Sequence, residues 1–372
     1  MFLCSYILRL LKLLEAIFTS LHKRHLKNEV CFYKTVYYLM FPKASITWES
    51  DVLKTLVPSS LIQALKKQKY HLVGKHSAVK RCRWLYETLI HDRPCYKQKF
   101  YGIKTHQCIQ MTPALFYCTQ QCLFCWRAQS GDLGIMWNEM KMPKWDSPEE
   151  IVEGSIKAQL KILSGYKGNP KTNQKKLKEA LKPKHAAISL TGEPTLYKPI
   201  GELIQAFHSK GFTTFLVSNG TVPSALANLS EEPTQLYISV CAPDKETYKQ
   251  VCRPQIPKAW EKLNGTLELL PSFKCPTVIR ITSVRNLNMK NAEAYAKLIE
   301  KADSTYVEPK AYVHVGFSRL RLNYENMPSH REIRDFAMRL GKETGYNMID
   351  ESEESRVVLL SRLEKPIRFA DN

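Results

Sequence analysis

From Cys108 onward, short β-rich runs and helical patterns alternate to the end of the chain, and no other feature restricts the fold as strongly. The runs are residues 107–112, 185–190, 212–217, 235–240, 278–284, 312–315 and 356–361. Helical patterns cover 148–164, opened by Asp146-Ser147-Pro148, and then 199–210, 243–252, 257–270, 290–302 and 330–341. Strand and helix in this order predict an α/β fold with a parallel sheet and helical crossovers. A barrel and an open doubly wound sheet share this periodicity, and both place ligands at the C-terminal ends of their strands.

Behind the first run stands Cys118-Thr-Gln-Gln-Cys122-Leu-Phe-Cys125. Three thiolates at this spacing can bind three irons of a [4Fe-4S] cubane and leave the fourth open to an exchangeable ligand. A zinc site would bring a second C-x2-C knuckle or histidine partners, and no second knuckle follows. The loop, with Phe124 before its last cysteine, resembles that of radical S-adenosylmethionine (SAM) enzymes. Three later positions fit the same resemblance in the right order: Thr191-Gly192-Glu193-Pro194, Ser218-Asn219-Gly220 and Ser239. Each alone reads equally well as an ordinary turn. Together the resemblance implies a partial (β/α)6 TIM-like barrel, with Phe124, Gly192, Glu193, Asn219 and Ser239 contacting SAM.

Upstream, Cys82, Cys95 and Cys108 lie too far apart for a zinc knuckle. By spacing alone they are a second set of cluster thiolates or buried structural cysteines. The segments 73–84, 95–108, 111–127, 191–197, 239–254 and 315–330 resemble the 4-demethylwyosine synthases of wybutosine biosynthesis, in their stand-alone archaeal form. That resemblance runs over roughly 60–365. It implies a second [4Fe-4S] cluster on Cys82, Cys95 and Cys108, and a Schiff base between Lys97 and pyruvate. It further implies a substrate, N1-methylguanosine at position 37 of phenylalanine tRNA, and an external electron donor. Lys99 and Lys104 stand near enough in sequence to depress the Lys97 pKa or to replace it. A lysine contacting tRNA phosphate is the plainer reading of Lys97. Arg319, Arg321 and Asn323, in the segment 315–330, are expected near the substrate.

Charge agrees with a polyanionic partner: 55 Lys and Arg stand against 35 Asp and Glu, a net +20. Residues 60–107 are basic, and a lysine-rich run at 167–184 reads as an exposed insertion able to touch RNA phosphates. Tyr117 and Trp126 flank the cysteine loop and are candidates for stacking on a base or for core packing. Six of the 11 cysteines fall between Cys82 and Cys125 with no cleavable signal before them, which favours a reduced cytoplasm over disulfides. Leu10, Leu13, Leu14 and Ile17 have helical spacing, but Arg9, Lys12 and Glu15 interrupt the run, so no transmembrane segment is expected there. The expected organisation is an extension over 1–57, an iron–sulfur and pyruvate segment over 58–107, the barrel over 108–345 and a C-terminal strand and tail over 346–372. The chain is expected to act as a monomer. Another RNA-modifying radical SAM enzyme, a methyl- or methylthiotransferase, is the alternative within the class; a non-catalytic iron–sulfur RNA-binding protein is the alternative outside it.

Overall fold

The computed structural model describes residues 57–369, and within them the alternation becomes one ten-stranded sheet. The chain enters through helix α1 (Ser59–Lys67), a hairpin of β1 (Tyr70–Val73) and β2 (Ser77–Lys80), and two short helices, α2 (Arg83–His91) and α3 (Tyr96–Tyr101). Six strands then lie side by side in sequence order, each parallel to the next. They are β3 (Cys108–Thr112), β4 (His185–Ile188), β5 (Thr213–Ser218), β6 (Gln235–Ser239), β7 (Thr277–Ser283) and β8 (Tyr306–Ala311). The crossovers hold α4 (Pro148–Ser164), α5 (Gln174–Ala180), α6 (Ile200–His208), α7 (Pro223–Ala227), α8 (Lys245–Cys252), α9 (Ala259–Leu269) and α10 (Ala292–Ala302). Helix α11 (His330–Thr344) leads to the antiparallel pair β9 (Asn347–Ser352) and β10 (Val357–Ser361).

The six parallel strands are the expected (β/α)6 partial barrel. Its two edges are antiparallel, with β2 on β3 and β10 on β8. Strands β1 and β2 of the segment 58–107, and β9 and β10 near the C-terminus, therefore extend the same sheet. The run 312–315 is not a strand; the strand is β8, whose Glu308-Pro309-Lys310 interior hid it from an apolar scan. The basic run 167–184 is exposed at most of its lysines, as expected, but it is folded rather than a plain loop. Within it Asn173 caps α5, and Leu177 and Ala180 pack beside Leu85, Leu89, Leu163 and Tyr166. The helix expected at the N-terminus lies outside the described residues. Among the described residues no helix is long and apolar enough to cross a membrane.

Side chains alternate across the strands. Ile109, Met111, Ala186, Ile188, Leu216, Leu236, Ile238, Ile279, Ile281 and Val307 form the core with the outer helices. The intervening positions face the concave side. At its base Tyr96 and Phe100 from α3 pack with Phe215, Tyr237, Val278 and Tyr306. Farther along the strands this face turns polar: Gln110, Ser189, Ser239, Arg280, Thr282 and Lys310 line one cavity. Helix α4 begins where Asp146-Ser147-Pro148 predicts, with Ser147 and Glu150 closing a reciprocal capping box.

Candidate active site

The cavity has a volume of about 1160 Å³, and all six cysteines of the two triplets line it. Cys118, Cys122 and Cys125 arrive on the loop behind β3. Cys82 and Cys95 are the N-cap residues of α2 and α3, and Cys108 opens β3. Burial pushes the Cys95 and Cys108 thiols up to about 12, and the Cys118 thiol is raised by the same cause.

The cysteine loop is framed by two guanidinium groups that sequence reasoning did not place there. Arg127, 3% exposed, donates to Gln120 O at 2.8 Å, to Ala128 O at 2.9 Å and to Glu139 at 2.5 Å. Glu139 also accepts from Ser130 N at 2.6 Å and Gln121 Nε2 at 3.1 Å, and its carbonyl accepts from Cys118 N at 3.1 Å. Arg321 reaches back from the 3-10 turn after β8. It donates to Cys125 O at 2.5 Å and to both Asp132 oxygens at 2.7 and 2.8 Å. Charge-assisted bonds of this kind fix loop geometry firmly.

The strand ends expected to hold SAM surround the same loop. Gly192 has φ +74°, and a Cβ there would lie 1.8 Å from Ala114 O, so glycine is required for the chain's own backbone to pass. Glu193 is buried, and burial raises its carboxyl. Its oxygens accept from Thr195 N (3.1 Å), Thr195 Oγ1 (2.7 Å), Ser218 Oγ (2.8 Å) and Asn219 N (2.7 Å), which ties β4 to β5. Asn219 Nδ2 donates to Thr119 Oγ1 at 2.8 Å and lies 3.8 Å from Cys118 Sγ. Phe124 and Ser239 line the cavity.

Lys97 projects from α3 into the cavity, its Nζ 4.3 Å from the Phe215 ring centre and 4.2 Å from that of Tyr237. Burial pulls its ammonium down to about 8, against Glu308, which favours the charge; Arg280 adds to the downward push. The two lysines expected to do this do not. Lys99 pairs with Asp350 at 2.8 Å and Lys104 with Glu179 at 3.1 Å, both exposed. The neighbours that matter come from β7 and β8. Arg280 is paired with the fully buried Glu308 and donates to Tyr96 OH at 2.6 Å. Tyr101 OH donates to Glu308 at 2.5 Å. Lys310, also pushed down to about 8 by burial, donates to Ser355 O at 2.6 Å.

Comparison with known proteins decides the family. Residues 114–299 match the radical SAM superfamily and residues 301–362 match wyosine base formation. The S-adenosyl-L-methionine-dependent tRNA 4-demethylwyosine synthase of Pyrococcus abyssi is 54% identical over 82% of this chain and 90% of its own length. That of Methanocaldococcus jannaschii is 44% identical over 84% of this chain and 99% of its own. A solved structure of TYW1 with a lysine-pyruvate adduct bound superposes with a TM-score of 0.75 at 42% identity, covering 84% of this chain and 98% of that one. The chain belongs to the tRNA 4-demethylwyosine synthase family. It is a radical SAM enzyme, a class that works with a [4Fe-4S] cluster and SAM.

The residues present fit those groups. The donors are thiols, the ligands that suit iron–sulfur clusters, and they open into a cavity large enough for a nucleoside-sized cofactor beside them. Arg319, Arg321 and Asn323, expected near the substrate, all lie outside the lining of this cavity. Arg321 faces the cysteine loop, with its side chain only 8% exposed, because Asp132 and three backbone carbonyls take its five donors. Asn323 caps the 3-10 turn Tyr324–Asn326. Arg319 is exposed and lies outside the cavity lining. Tyr117 is buried in the core and out of reach of a base, whereas Trp126 lines the cavity under Lys80.

Proposed function

We propose that this chain condenses N1-methylguanosine at position 37 of phenylalanine tRNA with pyruvate, forming the tricyclic 4-demethylwyosine base. The observation that carries the reading is one cavity that receives two cysteine triplets and a lysine amine of lowered basicity. Cys118, Cys122 and Cys125 hold the first [4Fe-4S] cluster; Cys82, Cys95 and Cys108 hold a second. When bound, the first cluster and SAM supply a 5′-deoxyadenosyl radical, the reagent that an inert N-methyl C–H bond requires.

The chain's own residues handle the keto acid. Lys97 Nζ, in its free-amine form, adds to the pyruvate carbonyl, and loss of water leaves an imine anchored to α3. That attachment fixes the carbon at which the substrate methylene bonds; the bond to the carboxylate then breaks, the one-carbon fragment carries off the unpaired electron as the imine re-forms, and the guanine amine displaces Lys97 Nζ to close the ring. The ring faces of Phe215 and Tyr237 lie against the amine and give it an apolar, weakly hydrated seat. Gly192, Glu193, Asn219, Ser239 and Phe124 hold and orient SAM against the cysteine loop. Electrons come from a separate donor, and the enzyme works as a cytoplasmic monomer.

Anaerobic turnover of the iron-reconstituted protein with SAM, a strong reductant, labelled pyruvate and tRNA bearing N1-methylguanosine-37 tests this. Mass spectrometry of the nucleosides should show a tricyclic base carrying pyruvate-derived label. Release of 5′-deoxyadenosine without that base would refute the proposed condensation and keep the radical SAM chemistry.

A further inference from the structure

The mouth of the cavity is built from two unlike rims. Nine non-glycine residues among the described ones have positive φ, and only Leu133 (φ 55°) and Arg356 (φ 46°) of these line the cavity. Side chains such as these rarely adopt the left-handed region, and such conformations gather where function demands a particular presentation. The two residues stand on different rims.

Leu133 belongs to the Cys125 side. It is 66% exposed and shares the mouth with Leu320, 60% exposed, and Val315, 43% exposed. The shelf is anchored: Asp132 accepts Gln129 N at 2.8 Å and both bonds from Arg321, the residue that also holds Cys125 O. Three exposed aliphatic side chains on a fixed backbone, beside a cluster loop, form a surface without a hydrogen-bonding task.

Arg356 belongs to the Cys82 side, with Arg81 and Arg83, all lining the cavity. Burial lowers the hold of Arg356 on its proton; nearby Tyr324 opposes this, and the positive charge of Arg83 adds to the downward push. Arg83 has Glu87 at 3.5 Å, but that carboxylate is bonded more closely by Arg93. Glu354 is the one carboxylate at this part of the lining. The rim is short of negative charge.

We propose that the apolar rim packs against the bases of a single-stranded RNA loop while the arginine rim holds its phosphates. This rests on the reading that tRNA is the substrate. A nucleotide reaching toward Lys97 must leave its stack, which strips one face from each neighbouring base; Leu133, Val315 and Leu320 cover those faces. The backbone on either side then runs along Arg81, Arg83 and Arg356.

The test is tRNA binding by fluorescence anisotropy across a series of salt concentrations, with thermal melts of every variant. Leu133→Gly combined with Leu320→Ser should weaken binding about tenfold, within the range lost with a stacked base, and leave the log–log salt slope as in wild type. Leu133→Gly alone should melt no lower than wild type, because glycine accepts the positive φ. Arg83→Ala combined with Arg356→Ala should weaken binding and reduce the salt slope by about 1 to 2, as expected for lost phosphate contacts; Arg83→Ala alone gives the same sign if the pair destabilises. Equal salt slopes for the two pairs, or unchanged affinity in the leucine pair, would overturn the division of labour. A wild-type chain that does not bind this tRNA at all would overturn the tRNA reading with it.

Discussion

The two cysteine triplets reach one cavity by different routes. Cys118, Cys122 and Cys125 sit in a single loop whose backbone is bonded to Arg127, Glu139 and Arg321. Cys82, Cys95 and Cys108 come from two helix caps and a strand end, so they meet only when α2, α3 and β3 have all docked. One set is specified by spacing and the other by topology. The first should therefore tolerate damage elsewhere in the sheet, and the second should report on whether the N-terminal segment has folded.

Single thiol removals give the largest effects and can break this contrast. Cys122→Ala should abolish SAM cleavage. Cys95→Ala should retain it while the iron content drops from roughly eight to four atoms per chain and tricyclic base is lost. Iron and sulfide analysis, with chromatography of 5′-deoxyadenosine, reads both; loss of SAM cleavage in Cys95→Ala would show that the sets are not independent.

Lys97→Ala belongs to the topological side. It should lower product formation by about 10³-fold, within the range for a positioned catalytic group, without lowering iron content. Lys99→Ala and Lys104→Ala, on exposed lysines, should change turnover by about twofold or less. Intact-mass detection of a borohydride-reduced pyruvate adduct separates the three, and an adduct persisting in Lys97→Ala would remove the imine.

Arg321→Met probes the local side. Its loss leaves Asp132 and the Cys125 carbonyl without their charged partner, at a cost of about 3 kcal/mol in urea unfolding of the iron-free chain. A negligible cost would mean that the loop keeps its shape unaided.

The smallest effect concerns pH. Burial lowers the Lys97 pKa to about 8, so the fraction of free amine grows as pH rises through that value. Adduct trapping in the iron-free protein should increase about tenfold from one pH unit below to one above and then level off. A rise continuing toward pH 10 would mean an ordinary, solvated lysine.

What was legible in the sequence follows the same line between local and assembled features. The Cys118–Cys125 spacing and the helix start at Ser147-Pro148 are local chemistry, and both were readable. The six parallel strands emerged from periodicity, apart from β8, whose charged interior resembles a surface segment. Arg280, Glu308 and Lys310 were missed for a related reason. Strands covered on both faces are expected to be continuously apolar, so Arg280 and Thr282 in a buried run, or Glu308 and Lys310 two apart, were the available signal of a polar interior. The β1–β2 hairpin carried Gly74 at its turn (φ 56°) but too few residues to stand out. Arg321 was singled out for the substrate side, but its bonds to Asp132 and the Cys125 carbonyl were not legible, because sequence proximity says nothing about which way a side chain turns.

The strict two-residue alternation of β7 and β8 has a consequence for how such an enzyme can change by descent. An inserted or deleted residue within Thr277–Ser283 or Tyr306–Ala311 would exchange the two faces beyond it. Arg280 or Lys310 would then be driven into the aliphatic layer, and isoleucine or proline would enter the cavity. Lineages can rewrite this interior letter by letter, but changes of length are confined to the connecting loops. The rim that carries Leu133 is one of those loops, which leaves the recognition surface freer to diverge than the chemistry it guards.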